Sequence, residues 1–186
     1  MADKEISLQD AHTFSQFYER YLLTVFRYIY GMTGGPRQAV EDLTAETFLR
    51  SWKKRKQFRG SEKAALGWLL TIARNLVFDI YRKEKSHPEI ELQENWFDLF
   101  HSNLPDPEAQ ILEQEQFQTL WQMLQLFQIE QREIILLRYM FGLQVKEIAK
   151  LTNCNENTIS VNLHRMIKKI QQAWPTEATD DQKPSQ

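Results

Sequence analysis

A single cysteine, Cys154, stands in 186 residues, which excludes an internal disulfide and a cysteine-rich zinc site. The four histidines (His12, His87, His101 and His164) are scattered, and none pairs with another at metal-ligand spacing. No apolar run approaches the ~20 residues of a membrane span, so a membrane protein is not expected. The opening "MADKEISLQD" is too acidic and polar for a secretory signal, and the cytoplasm is the expected compartment. Alternating strand-like segments with hairpin turns are missing, and so is any internal repeat. There is no P-loop, nucleophile elbow or zinc motif. Catalysis, a cofactor, a metal and a small-molecule substrate are therefore not expected.

What is present is a folded-protein composition, with 42% apolar, 26% charged and 12% aromatic residues. The net charge of −2 hides a division into blocks. Residues 1–49 carry net −3, residues 50–85 net +8, residues 86–116 eight acids and no base, residues 117–174 net +3, and the tail 175–186 net −2. Such blocks point to different partners along one chain.

Phe14, Phe17, Tyr18, Tyr21, Leu22, Val25, Phe26 and Ile29 recur at three and four residues, predicting an amphipathic helix. "TGGP" breaks it, and Pro36 suits the first turn of a second helix carrying Val40, Leu43, Thr47, Phe48 and Trp52. "RGSE" turns the chain at Gly60 into a third helix with Trp68, Leu69, Ile72, Leu76 and Ile80. One core over 10–85 is expected. The stretch 86–107, with Pro88, Pro105 and Pro107, reads as an acidic linker in which "ENWFDLF" docks locally. Helical periodicity resumes at Glu108, giving a second module over 108–174, followed by a disordered tail over 175–186. The expected fold is all-α: two small helical domains joined by a flexible linker.

"VKEIAKLTNCNENTISVNLHRMIKKI", residues 145–170, has the pattern of a helix-turn-helix. Ala149 is small where the second helix must approach. Asn153 suits a left-handed turn position, and Cys154 is expected as a small buried plug rather than a redox residue. Ile159, Leu163 and Ile167 would face inward. Asn157, Thr158, Ser160, Asn162, Arg165 and Lys168 are left for solvent or DNA, with Lys168 and Lys169 near phosphates. From this stretch alone, a helical hairpin with a solvated polar face remains an alternative.

With both halves in view, the chain resembles the extracytoplasmic-function sigma factors of bacterial RNA polymerase. The resemblance runs from about Phe14 to Trp174 and is broken by the linker. It rests on "FYERYLLTVFRYIYGMTGGPRQAVEDLTAETFLRSWKK" and "GWLLTIARNLVFDIYRKEK" in the first half. In the second it rests on "EQREIILLRYMFGLQVKEIAKLTNCNENTISVNLHRMIKKI". It implies a first module that binds core RNA polymerase and opens the minus-ten element, and a second that binds the minus-thirty-five element. Its expected partners are core RNA polymerase, promoter DNA and an anti-sigma factor.

For polymerase binding the resemblance implies Asp42, Leu43 and Glu46, with Phe48 and Leu49 beside them. Asp42 and Glu46 share a helix face, and a merely solvated acidic face is the alternative. Ala45 departs from the glutamine frequent at that place. For the minus-ten element it implies Arg74, Asn75, Asp79, Arg82, Lys83 and Lys85. Asp79 would either contact a base or brace Arg82, while Trp68 is expected in the core. Six basic residues in "RSWKKRKQFR" would attract the DNA backbone. Unpairing DNA costs a few kcal/mol per step, which contacts to a flipped base would offset. For the minus-thirty-five element it implies Asn157, Thr158, Ser160, Asn162, Arg165, Lys168 and Lys169. Ser160 and Asn162 stand where relatives often carry bases, and the proline common before "EQREI" is missing. The acidic linker is expected either to mimic a polyanion in polymerase channels or to serve as a tether. An operator-binding dimer and a protein-only adaptor are the rival readings. Asp42 and Glu46 in their block, and the helix over 68–82, speak against both.

Overall fold

The computed structural model describes residues 6–84 and 107–174. Helices α1 (Ala11–Thr33), α2 (Arg37–Lys54) and α3 (Glu62–Glu84) pack pairwise. Helices α4 (Pro107–Gln125) and α5 (Ile129–Ile135) follow, and α5 runs into a π-helical turn over Leu136–Met140. Helices α6 (Val145–Thr152) and α7 (Glu156–Ala173) complete the chain. The all-α architecture expected from the periodicity is what the structure has, with no strand among the described residues. The expected acidic linker, the docking of "ENWFDLF", Lys85 and the tail lie outside the described residues.

Each boundary has a local cause. Asp10 starts α1 by accepting a hydrogen bond from the Thr13 N–H at 2.8 Å, and this bond holds its carboxyl below the usual range. Gly34 ends α1 in the left-handed region at φ 61°, its N–H donating to Tyr30 O, and Pro36 opens α2. Helix α2 has few large apolar residues. It instead buries Thr44, Thr47 and Ser51, whose hydroxyls donate to the carbonyls of Val40, Leu43 and Phe48 at 2.7–2.8 Å. Those bonds satisfy the hydroxyls within the helix. Gly142, at φ 66°, closes the π-helical turn, with Leu143 N–H donating to Leu137 O.

Helix α3 is long and apolar enough over Glu62–Lys83 to cross a membrane by length and composition. In this fold Leu69, Leu70, Ala73 and Val77 are fully buried instead, where α3 packs on α1 and α2. Trp68 is half-buried against the core beside Phe58. Two of the residues expected to face inward do not. Tyr18 is 39% and Leu22 36% exposed, because α2 covers one flank of α1 and leaves them, with Leu23, Phe26, Thr44 and Ala45, around a shallow groove. At the other end the fold reaches beyond residue 10: Leu8 is fully buried and Ile6 N–H donates to Gly60 O.

Candidate polymerase and DNA interfaces

On α2, Asp42, Ala45, Glu46 and Leu49 recur at helical spacing and form one outward stripe. Asp42 is exposed, Leu49 is 46% exposed, and Leu43 and Glu46 are half-buried. Gln38 donates to Asp42 at 3.1 Å and Arg50 to Glu46 at 2.7 Å. Both carboxylates are therefore oriented by neighbours on their own helix. Phe48 does not share this surface. It is 4% exposed and sits edge-on to Tyr18, because its place on α2 faces α1. It positions the stripe and does not present itself on it.

The basic run divides into structural and free charges. Arg50 is held by Glu46. The Arg55 guanidinium lies 3.4 Å from the Trp52 ring centroid and donates to Gln9 O and Trp52 O. Arg59 donates to Lys56 O and Phe58 O. Lys53, Lys54 and Lys56 are exposed and suit contact with a phosphate backbone.

On α3, Asn75, Arg82 and Lys83 are exposed, and Arg82 pairs with Asp79 one turn away. Asp79, expected either to contact a base or to brace Arg82, is engaged by Arg82 here. Arg74 is placed differently. Its guanidinium lies over Phe78, 4.3 Å from the ring centroid, and its Nε donates to both oxygens of Glu133 at 3.0 Å.

Helices α6 and α7 form the expected corner. Ile148 and Ile159 are fully buried, and Ala149, Leu163 and Met166 join them. Asn153 adopts φ 56°, ψ 40°, the left-handed conformation expected of it. Asn153→Val is expected to cost about 1–2 kcal/mol because a branched Cβ crowds the carbonyl there. Asn153→Gly should change stability by no more than roughly half that; thermal unfolding of both variants checks the pair. Cys154 departs from expectation: it is exposed, because the αL turn carries it past the corner. Asn155 caps α7 by accepting from Thr158 N–H at 3.1 Å, a role the sequence reading missed although Asn before a helical run signals it.

The outward side of α7 carries Asn157, Thr158, Ser160, Arg165, Lys168 and Lys169, all exposed, with Asn162 half-buried. The Ser160 hydroxyl donates to Glu156 O at 3.0 Å, so it is partly committed to its own helix. Glu147 starts α6 by accepting from Gln144 N–H at 2.8 Å, and it also pairs with Lys63 of α3 at 2.6 Å. These bonds, Lys63 first, hold its carboxyl below the usual range.

Missed altogether from the sequence were the charges inside the fold. Glu133 is 1% exposed. Tyr28 donates to it at 2.7 Å, and Arg74 flanks it. Burial pushes its carboxyl up and the Tyr28 phenol well up, while Arg74 opposes both shifts. Arg132, 2% exposed, donates to the carbonyls of Met32, Leu124, Gln125 and Phe127. Its burial lowers its pKa. No group of three or more His, Cys, Asp or Glu among the described residues is arranged to hold a metal.

A three-helix module whose second helix exposes a stripe with two carboxylates, followed by a helix-turn-helix whose last helix exposes cations, defines a two-module, all-helical protein. The family model described as Sigma-70 region 2 matches residues 17–87, and that described as Sigma-70, region 4 matches residues 117–170. The chain is 33% identical over 171 residues to the ECF RNA polymerase sigma factor BldN of Streptomyces coelicolor. That alignment takes in 91% of this chain and 63% of the relative's length. It is 28% identical over 162 residues to the ECF RNA polymerase sigma factor SigX of Bacillus subtilis, taking in 84% and 80% respectively. The chain belongs to the extracytoplasmic-function sigma factors.

Its fold is shared with solved sigma factors. The sigma factor RpoE of Bartonella quintana, solved with the anti-sigma factor NepR, superposes with a TM-score of 0.67 at 20% identity, over 86% of this chain and 94% of that one. CnrH, solved with the cytosolic domain of CnrY, gives 0.63 at 19% identity over 88% of each chain.

Proposed function

We propose that the chain is an alternative sigma factor that binds core RNA polymerase and directs it to a set of promoters. The observation that carries this reading is the order of the two modules on one chain: an acidic-stripe module, then a cationic helix-turn-helix. Asp42, Leu43, Glu46 and Leu49 meet the polymerase, with Phe48 holding their helix in place. Arg74, Asn75, Asp79, Arg82, Lys83 and Lys85 serve the minus-ten element, where a protein without an energy source must bind the opened strand better than the duplex. The first module ends near residue 85 and the second spans 108–174. Helix α7 lies in the major groove at the minus-thirty-five element, its N-terminal Asn157, Thr158, Ser160 and Asn162 near base edges and its later cations near phosphates. The chain contributes no catalytic step of its own and needs no cofactor. It acts in the cytoplasm, where polymerase and chromosome are, and an anti-sigma protein holds it in check.

A gel shift on forked promoter DNA, with and without core polymerase, tests the reading. A shift that requires both proteins is expected. A shift by the chain alone would favour an operator-binding dimer, and none under any condition an adaptor. Arg165→Ala is expected to weaken holoenzyme binding to duplex minus-thirty-five DNA and to reduce the salt-dependence slope by about 1, the loss of one phosphate contact; an unchanged slope removes Arg165 from the interface.

A further inference from the structure

The outward face of α7 has an apolar centre. Val161 is 39% exposed, and among the described residues it is the only large apolar side chain exposed on α6 or α7. Helical spacing surrounds it with polar neighbours. Asn157 and Thr158 stand one turn before it, His164 and Arg165 one turn after, and all four are exposed. At about 3.6 residues per turn, Val161 lies almost opposite Ile159, Leu163 and Met166, the residues that α7 buries.

Its immediate neighbours are less available. Ser160 directs its hydroxyl hydrogen to Glu156 O at 3.0 Å, and Asn162 is half-buried on the flank. A lone exposed apolar residue is ordinary on a protein surface, so its position has to decide. Valine is a poorer helix former than alanine, lysine or glutamate, and the core of the module lies on the other side of the helix. Neither helix propensity nor packing accounts for valine at the middle of a polar face.

The major-groove edges of base pairs carry hydrogen-bond donors and acceptors and one apolar group, the C5-methyl of thymine. We propose that Val161 is a specificity-determining residue, which reads one thymine of the minus-thirty-five element through that methyl. This role rests on α7 being the minus-thirty-five helix. Asn157 and Arg165 flank the contact on the same face. The valine isopropyl group and the thymine methyl leave water together. An amino group or keto oxygen set against valine at the same place would lose its water and gain no partner.

Removing the methyl alone tests the contact. Core polymerase carrying the full chain first selects its own minus-thirty-five sequences from duplex DNA randomised in that region. Each thymine of the selected element is then replaced in turn by deoxyuridine, which lacks only the C5-methyl. The expected result is one position at which the replacement weakens holoenzyme binding about fourfold, the worth of one buried carbon. With Val161→Ser, thymine and deoxyuridine at that position should bind equally, at the weaker level. The slope of binding against salt should not change in this variant, because an apolar contact releases no counterion. Val161 is outside the core, so the variant should keep the helical circular dichroism of the unmodified chain. A selected element in which no thymine methyl matters would overturn the assignment and leave promoter recognition standing. So would a deoxyuridine loss that persists in Val161→Ser, or a shallower salt slope, which marks a lost phosphate contact. Selection of no element at all would sink the promoter-directing reading itself, and the assignment with it.

Discussion

Replacing Arg132 with alanine is expected to destabilise the protein by about 3–5 kcal/mol, the largest effect of any single substitution proposed for stability. Its guanidinium satisfies Met32 O at the end of α1, Leu124 O and Gln125 O at the end of α4, and Phe127 O in the following turn. Neither α1 nor α4 has a basic residue in its own last turn, so one cation serves two helix C-termini. Met32 O keeps a bond from the Tyr81 hydroxyl and Leu124 O one from Phe127 N–H, but Gln125 O and Phe127 O lose the guanidinium, about 1–3 kcal/mol for each buried group left unmet, and a cavity opens where a side chain 2% exposed had been. In a chain of this size that corresponds to a drop in Tm of roughly 10 °C. Arg132→Lys should fall between, since an ammonium cannot fork among four acceptors. A thermal shift below about 2 °C for the alanine variant would contradict this account of how the helix ends are held.

Asp42→Arg is expected to weaken core polymerase binding by at least about 30-fold, the ~2 kcal/mol typical of an interface hot spot. The fold should be untouched. Asp42 is exposed, and Gln38, which donates to it, lies on its own helix. Reversing its charge places a cation on the stripe that Ala45, Glu46 and Leu49 share with it. Titration of labelled chain against core polymerase measures the loss, and circular dichroism confirms the helices. Binding within twofold of the unmodified chain would remove the α2 stripe from the interface. Phe48→Ala discriminates further: because Phe48 lies inside the module, its loss should appear first in thermal stability, and in polymerase affinity only through the position of α2.

The surface elements were legible because each obeys a local rule. Periodicity marked α1, the "TGGP" break marked its end, and Asn at residue 153 marked the left-handed corner. Helical spacing put Asp42 and Glu46 on one face, while the expectation that this face meets a partner came from the family resemblance. What the sequence concealed were contacts between residues far apart in the chain. Arg132 and Glu133 sit within "EQREI", where neither residue type nor spacing marks them as buried, because charge is ordinarily outside. They are inside because their partners, Met32, Tyr28 and Arg74, come from the other module, and spacing carries no signal at such separations. Arg74 was legible as a functional cation but not as a shared one. Tyr18 and Leu22 matched the apolar stripe of α1, yet a three-helix packing covers less of a helix than its apolar arc suggests. Cys154 was expected inside on residue type, and the turn geometry that Asn153 imposes carried it out.

In the proposed function the chain gives polymerase a choice of promoter. Mapping transcript 5′ ends made on genomic DNA by core polymerase, with and without the purified chain, measures that directly. The prediction is a discrete new set of start sites that share two upstream elements and vanish with the Asp42→Arg variant. Identical start sites in both reactions, with no co-elution of chain and core polymerase, would contradict it.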